Sequence, residues 1–219
     1  MVEIYDAHEQ GEVVKRWLQE NGSAIVIGLV IAFGGLFGFK QWQSWQVNTR
    51  QEASQQFEVM SELLAANQLD AAMANFQTLR DDYSKSPYAS MAALHMARAR
   101  LEVNQPDLAV GLYEYVVEHG YPKAMKVVAR ERLARVLLDM GRAEEALTTL
   151  NAAGEIPGFE ARYAEVRGDI LYSLGRMDEA QAAYLESLET LEAGAGDRNK
   201  LIMKLQSMGA DIPEDGSAS

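Results

Sequence analysis

Nineteen residues, Asn21 to Phe39, run NGSAIVIGLVIAFGGLFGF without one charge, in a chain where 24% of residues are charged. Backbone groups crossing hydrocarbon must satisfy one another, so a run of this kind is helical, and about 20 residues is the length that spans a bilayer. A helix buried in a soluble core has a shorter apolar run and keeps a polar stripe. Residues 21–40 are therefore expected to be a transmembrane anchor, with a tail at 1–20 and a single large extramembrane domain after it. A cleaved signal has a basic start and small residues at a cut site. Here five acids lie in the 20 residues before the span and Lys40-Gln41-Trp42 follows it, so the anchor is expected to stay attached.

Trp17 on one side and Trp42 and Trp45 on the other are about 25 residues apart, roughly 37 Å of helix, which suits aromatic anchors in both headgroup layers. Small residues form two stripes at fourfold spacing, Ala24, Gly28 and Ala32 on one and Gly34 and Gly38 on the other. They either let another transmembrane helix approach closely or are glycines tolerated in a lipid-facing helix. Orientation is not set by charge, because Lys15 and Arg16 before the span are balanced by Lys40 and Arg50 after it.

The remaining residues suffice for one compact domain or a short repeat array. With no cysteine there is no disulfide, thiolate metal site or cysteine nucleophile. A net charge of −12 argues against a nucleic-acid surface. His8, His95 and His119 stand in separate segments without ligands at metal spacing. No Gly-rich phosphate loop, nucleophile elbow or HExxH helix is present. The expectation is a protein with no catalytic residues, no metal and no cofactor. Strand-like alternation is missing and glycine and proline are sparse within the periodic segments, which points to an all-α domain.

Those helices repeat. Ala72, Ala109, Ala146 and Ala180 are spaced by 37, 37 and 34 residues. Four residues after each comes Phe76, Tyr113, Leu150 or Tyr184, and seven after comes Leu79, Val116, Ala153 or Ser187. Five or six before each is a turn residue: Asn67, Asn104, Gly141 and Gly175. Helices are expected at Val127 to Met140 and Arg162 to Leu174, with Leu133, Leu137, Gly168 and Leu171 facing inward. A small residue opening the second helix of each pair lets it lie against the first, and the bulky residue one turn on fills the gap. This resembles the tetratricopeptide repeat, best in the unit from Ala161 to Gly194, with Ala134 in place of the small glycine one unit earlier. Gly194-Ala195-Gly196 closes the last unit. Asp197 is then an N-cap for a capping helix through Met208, with Leu201, Leu205 and Met208 on one face, and Gly209 stops it. Asp211 to Ser219 reads as a disordered tail.

The expected fold is thus all-α: one N-terminal transmembrane helix, then a tetratricopeptide-like solenoid of about four repeats over 41–208 with a C-terminal capping helix, and a tail at 209–219. The first helix of each pair lines the concave side of such a stack. The repeat phase puts Arg98, Leu101, Glu131, Arg135, Leu138, Arg162, Glu165, Asp169 and Tyr172 there, either as a groove for a partner or as ordinary solvated positions. Ala143 and Gln181 are expected to face outward.

Glu3-Ile4-Tyr5, Glu12-Val13-Val14-Lys15-Arg16-Trp17, Glu20-Asn21-Gly22, and Trp42 with Gln46-Val47 resemble the YfgM family of bacterial inner-membrane proteins. Arg132-Leu133-Ala134-Arg135-Val136 and Arg167-Gly168-Asp169 are similar to it as well. The resemblance implies an ancillary subunit of the SecYEG translocon: N-terminal tail in the cytoplasm, one span, and a periplasmic solenoid. It also implies a PpiD-like membrane-anchored chaperone as a partner. The function expected is a non-enzymatic adaptor that passes unfolded, newly translocated chains to periplasmic chaperones. Two alternatives are a scaffold for another envelope complex, such as outer-membrane protein assembly, and a regulator acting on a cytoplasmic signalling protein through the acidic N-terminal tail.

Overall fold

The computed structural model describes residues 7–154, 156–191 and 197–210, without the side chains of 7–10, 13 and 25. Glu3-Ile4-Tyr5, the Gly194-Ala195-Gly196 stop and the tail after 210 lie outside the described residues. The described chain is helical and holds no strand: α1 (Ala7–Ala65), α2 (Leu69–Asp82), α3 (Pro87–Glu102), α4 (Pro106–His119), α5 (Lys123–Asp139), α6 (Ala143–Asn151), α7 (Glu160–Ser173), α8 (Met177–Thr190) and α9 (Arg198–Ser207). The packing divides the chain after Glu52 into two units.

In the first unit, the chain expected to be a tail before the span is already helical from Ala7. Nothing among the described residues of that unit covers the apolar ones: Val30, Ile31, Phe33, Leu36 and Phe37 are 66–75% exposed. Among the described residues this helix is the one long and apolar enough to cross a membrane. Isolated from lipid, such a surface would be costly; hydrocarbon is the solvent in which it costs nothing.

The second unit begins at Ala53, in the last turns of α1. Those turns meet α2, where the Asn75 side-chain amide donates to Gln56 Oε1 at 3.0 Å, and the pairs α3 with α4, α5 with α6 and α7 with α8 follow. From α2 onward each helix packs on the next in sequence, and the first helices of successive pairs also touch, α3 with α5 and α5 with α7. That is the contact pattern of a solenoid.

The turn within each pair is built one way throughout. Asn67, Asn104, Gly141 and Gly175 take φ of 57°, 58°, 76° and 73°. At each, the residue after it donates its N–H five residues back: Gln68 to Leu63, Gln105 to Arg100, Arg142 to Leu137 and Arg176 to Leu171, at 2.8–2.9 Å. These bonds satisfy carbonyls that a helix end otherwise leaves bare, and the left-handed residue admits glycine or asparagine most readily. Gly209 ends α9 in the same way, at φ 71° with Ala210 donating to Leu205. Two helix starts carry a side-chain cap: Ser86 caps α3 ahead of Pro87, and the Asp197 carboxylate accepts from the Lys200 N–H at 3.1 Å.

Ala72, Ala109, Ala146 and Ala180 are all fully buried, and Phe76, Tyr113, Leu150 and Tyr184 are buried one turn on. Met60, Ala97, Ala134 and Gly168 stand 16 residues before those four large side chains, all of them buried. Ser187, buried where the first two repeats have Leu79 and Val116, donates its hydroxyl to the Ala161 carbonyl at 2.7 Å and so leaves no polar atom unpaired. Two expectations need correction. Helix α5 starts four residues before Val127, because Pro122 serves as its N-cap and fixes the first turn. Ala143 does not face outward: it is 8% exposed and belongs to the core. Met177, its counterpart in the next repeat, is 47% exposed, since a side chain ending at Cβ stays beneath its neighbours and a longer one reaches past them.

Candidate functional site

The first helices of the pairs carry the predicted concave residues in one stripe per helix, and the structure divides that stripe in two. In the second half, Glu131 and Arg135 of α5 meet Arg162, Glu165 and Asp169 of α7 in a single charge network. Arg135 Nε donates to Glu131 Oε1 at 2.6 Å, and its other nitrogens lie 3.9 Å from Glu165 and 3.8 Å from Asp169. Arg162 is 3.7 Å from Glu131. Lys204 of α9 donates to Glu165 at 2.8 Å and to Asp169 at 2.5 Å, and Lys200 lies 3.1 Å from Glu165. The Tyr184 hydroxyl donates to Asp169 Oδ1 at 2.7 Å.

Lys200, Lys204 and Tyr184 were not among the predicted site residues. A signal for the lysines exists in the numbering: they follow Glu165 and Asp169 by 35 residues, one repeat on. Helix α9 thus stands where the first helix of a fifth pair would stand. Its leucines, Leu201 and Leu205, complete a core cluster with Leu171, Ala180, Ala183, Tyr184 and Leu188.

The electrostatics follow from this crowding. Burial alone would raise the Glu165 carboxyl, but the hydrogen bonds and charges of Lys204 and Lys200 outweigh it and hold Glu165 below its ordinary range. Burial opposes the Arg135 charge, yet the Glu131 bond wins and keeps the guanidinium above its usual value. Burial, reinforced by Asp169, pushes the Tyr184 phenol upward, so it stays a hydrogen-bond donor. Glu131, expected to line an open groove, is only 2% exposed. It is an internal strut between α5 and α7, because two arginines close over it.

In the first half the predicted residues stand open. Arg98 is 78% exposed and pairs with Glu102 at 2.9 Å along its own helix. Leu101 and Leu138 are half-buried and rest on the core. Beside them the Phe57 ring meets His95 edge-on at 5.4 Å and Tyr88 at 5.7 Å. Burial lowers the His95 pKa, and the charges of Arg132 and Arg98 lower it further. Tyr172, at the far end of α7, is 49% exposed.

A cavity of about 240 Å³ opens between the start of α5 and the loop before α7, lined by Lys123, Lys126, Arg130, Ile156 and Tyr163 among others. Two of its cations are committed to helix ends: Lys126 donates to the Glu118 carbonyl of α4 at 2.5 Å and Arg130 to the Thr149 carbonyl of α6 at 3.1 Å. The Tyr163 hydroxyl donates to the Val127 carbonyl at 2.8 Å, and burial pushes its pKa up to about 12. The cavity is therefore a braced seam between repeats. Among the described residues no cluster of three metal-ligating side chains forms. On α1, Ala24 and Ala32 are exposed, and a Cβ built on Gly28, Gly34 or Gly38 would meet nothing within 4 Å.

The tetratricopeptide repeat-like domain family matches residues 15–210. The ancillary SecYEG translocon subunit of Escherichia coli strain K12 is 30% identical over 84% of this chain and 88% of its own length. Its namesake from Haemophilus influenzae is 27% identical over 85% and 91%, and that of Aggregatibacter actinomycetemcomitans 28% identical over 93% and 99%. With the family matched over residues 15–210 and relatives matched along nearly their whole length, this chain belongs to the YfgM family of tetratricopeptide repeat-like proteins.

Proposed function

We propose that this protein is a non-enzymatic ancillary subunit of the SecYEG translocon. Residues 21–40 anchor it in the inner membrane, 1–20 lie in the cytoplasm, 41–208 form the periplasmic domain and 209–219 follow it. The solenoid acts as an adaptor, receiving unfolded, newly translocated chains and passing them to periplasmic chaperones, a PpiD-like membrane-anchored chaperone among them. The observation that carries this reading is the name shared by relatives that match 84–93% of this chain. The mechanism is shape: stacked first helices present a concave face able to hold a helical or extended segment. The uncovered small residues Ala24, Gly28, Ala32, Gly34 and Gly38 suit close approach of another transmembrane helix.

Photo-cross-linkers placed in intact membranes test both contacts. At Gly28 or Ala32 the adduct is expected to be a translocon subunit, and at Leu101 or Leu138 a translocating chain or chaperone. Adducts dominated by an outer-membrane assembly factor would overturn the reading. In sealed spheroplasts, added protease is expected to digest the domain after Arg50, and full protection would place it on the other side.

A further inference from the structure

The face made by the predicted concave residues differs in charge between its two halves. In the second half, three acids (Glu131, Glu165, Asp169) are surrounded by four bases (Arg135, Arg162, Lys200, Lys204), each within 4 Å of an opposite charge. A ligand docking there would have to break pairs already made, so little electrostatic attraction is left to offer.

The first half is different. Arg132 is exposed, and among the described residues no carboxylate lies within 4.0 Å of it. Its charge acts on the Tyr113 hydroxyl and, together with Arg98, on His95. Arg98 has Glu102 as its one ion-pair partner among the described residues, in a pair that is 78% and 62% exposed. Exposed pairs of this kind are worth little and are readily exchanged. On α3 and the last turns of α1 lies a half-buried aromatic surface, the Phe57 and Tyr88 rings 5.7 Å apart, and His95, on which both arginines act, stands against Phe57. A chain with 20 basic and 32 acidic residues has thus put one arginine without a carboxylate within 4.0 Å among the described residues, and another in an exposed, exchangeable pair, near half-buried aromatic carbon. Apolar surface beside arginine is the composition of binding hot spots, and it complements a segment of opposite charge.

We infer that the segment held by this solenoid docks on the first half of the concave face, across the last turns of α1, α3 and α5, and is an amphipathic stretch with acidic residues beside its apolar ones. The inference rests on the adaptor reading above and narrows it to one half of the groove and one partner chemistry. The second half, with α9 closing it, is a brace that keeps the groove's curvature.

The test uses the full chain in zwitterionic nanodiscs, with empty nanodiscs as baseline. Two labelled amphipathic peptides serve as probes, one with leucine on one face and glutamate on the other, its twin with lysine replacing glutamate. Anisotropy at low salt is expected to show the glutamate peptide binding about tenfold tighter, the scale of two charge contacts. R98Q/R132Q should bring the two peptides level and R98E/R132E should invert the preference, with helicity and melting unchanged. R162E, in the braced half, should leave the preference as it is. Equal binding of both peptides by the native chain, or an R162E effect as large as that of R98E/R132E, overturns this inference and leaves the groove intact as a general binder. Binding of neither peptide overturns the inference and the groove reading together.

Discussion

Tyr184 lies so close over Gly168 that a Cβ added to the glycine would stand 2.5 Å from Cε1 of the ring. One repeat earlier, Ala134 and Leu150 hold the same places, both buried. At this position the Tyr184 ring leaves room for nothing beyond a hydrogen at 168, whereas the leucine one repeat earlier stands over an alanine. G168A is therefore expected to cost about 1–3 kcal/mol by overpacking. G168A/Y184L should recover part of that loss in guanidinium unfolding, although the Asp169 hydrogen bond goes with the phenol. Losses that simply add would mean that the ring does not set the size limit at 168.

Ala146 and Ala180 are fully buried where second helices touch first ones. Leucine at either should lower the solenoid's unfolding free energy by about 1–3 kcal/mol in denaturant titration, whereas A182L, at an exposed position, should stay within about 0.5 kcal/mol.

Arg98 and Arg135 occupy equivalent places, yet reversing them should have unequal consequences. Arg98 is 78% exposed, so R98E is expected to change stability by under about 0.5 kcal/mol. R135E would set a second carboxylate against Glu131, which is 2% exposed, and should cost up to about 3 kcal/mol. Arg162, 3.7 Å from Glu131, softens that loss. The added E131Q should restore much of it, which thermal unfolding of the single and double variants would reveal.

Acid should loosen the C-terminal end first. Because the Glu165 carboxyl is held below its ordinary value of 4.5, its stabilising contribution is complete above that pH and fades as pH falls through the lower folded value. Hydrogen exchange below pH 4.5 is expected to accelerate in α9 before α3 or α5. In E165Q the same amides should exchange faster at neutral pH and depend less on acid. Uniform acceleration along the chain would argue against this hinge of charges.

His95 supplies a local probe of the cationic half. Arg132 and Arg98 disfavour its imidazolium, so R132Q should raise the His95 pKa in an NMR titration. No change would place Arg132 too far away to act.

Much of this was readable from the residues alone. Turn positions announced themselves because only asparagine and glycine enter the left-handed region easily, and the buried alanines because a close helix contact tolerates no more than a methyl group. What escaped was burial that depends on a third helix. Glu131 reads as solvent-facing by phase, and only the approach of Arg135 and Arg162 makes it internal. Lys200 and Lys204 were passed over because a capping helix has no second helix after it to complete the repeat pattern, although their offset of 35 residues from Glu165 and Asp169 does mark the place. The apolar run near the N-terminus is the converse case, since its meaning depends on length and composition and on no partner.

Five helices stop at a left-handed residue, at 67, 104, 141, 175 and 209. Each reversal of direction is thus decided by one residue and two backbone bonds, without help from neighbouring repeats. Direction and adhesion are specified separately, as a hinge is separate from the leaves it joins. A solenoid made this way can be lengthened in steps of one pair, because a new unit brings its own bend and has only to match the face it lands on. Gly209 leaves that junction already set, so a helix grafted beyond Ala210 would begin on a prepared heading.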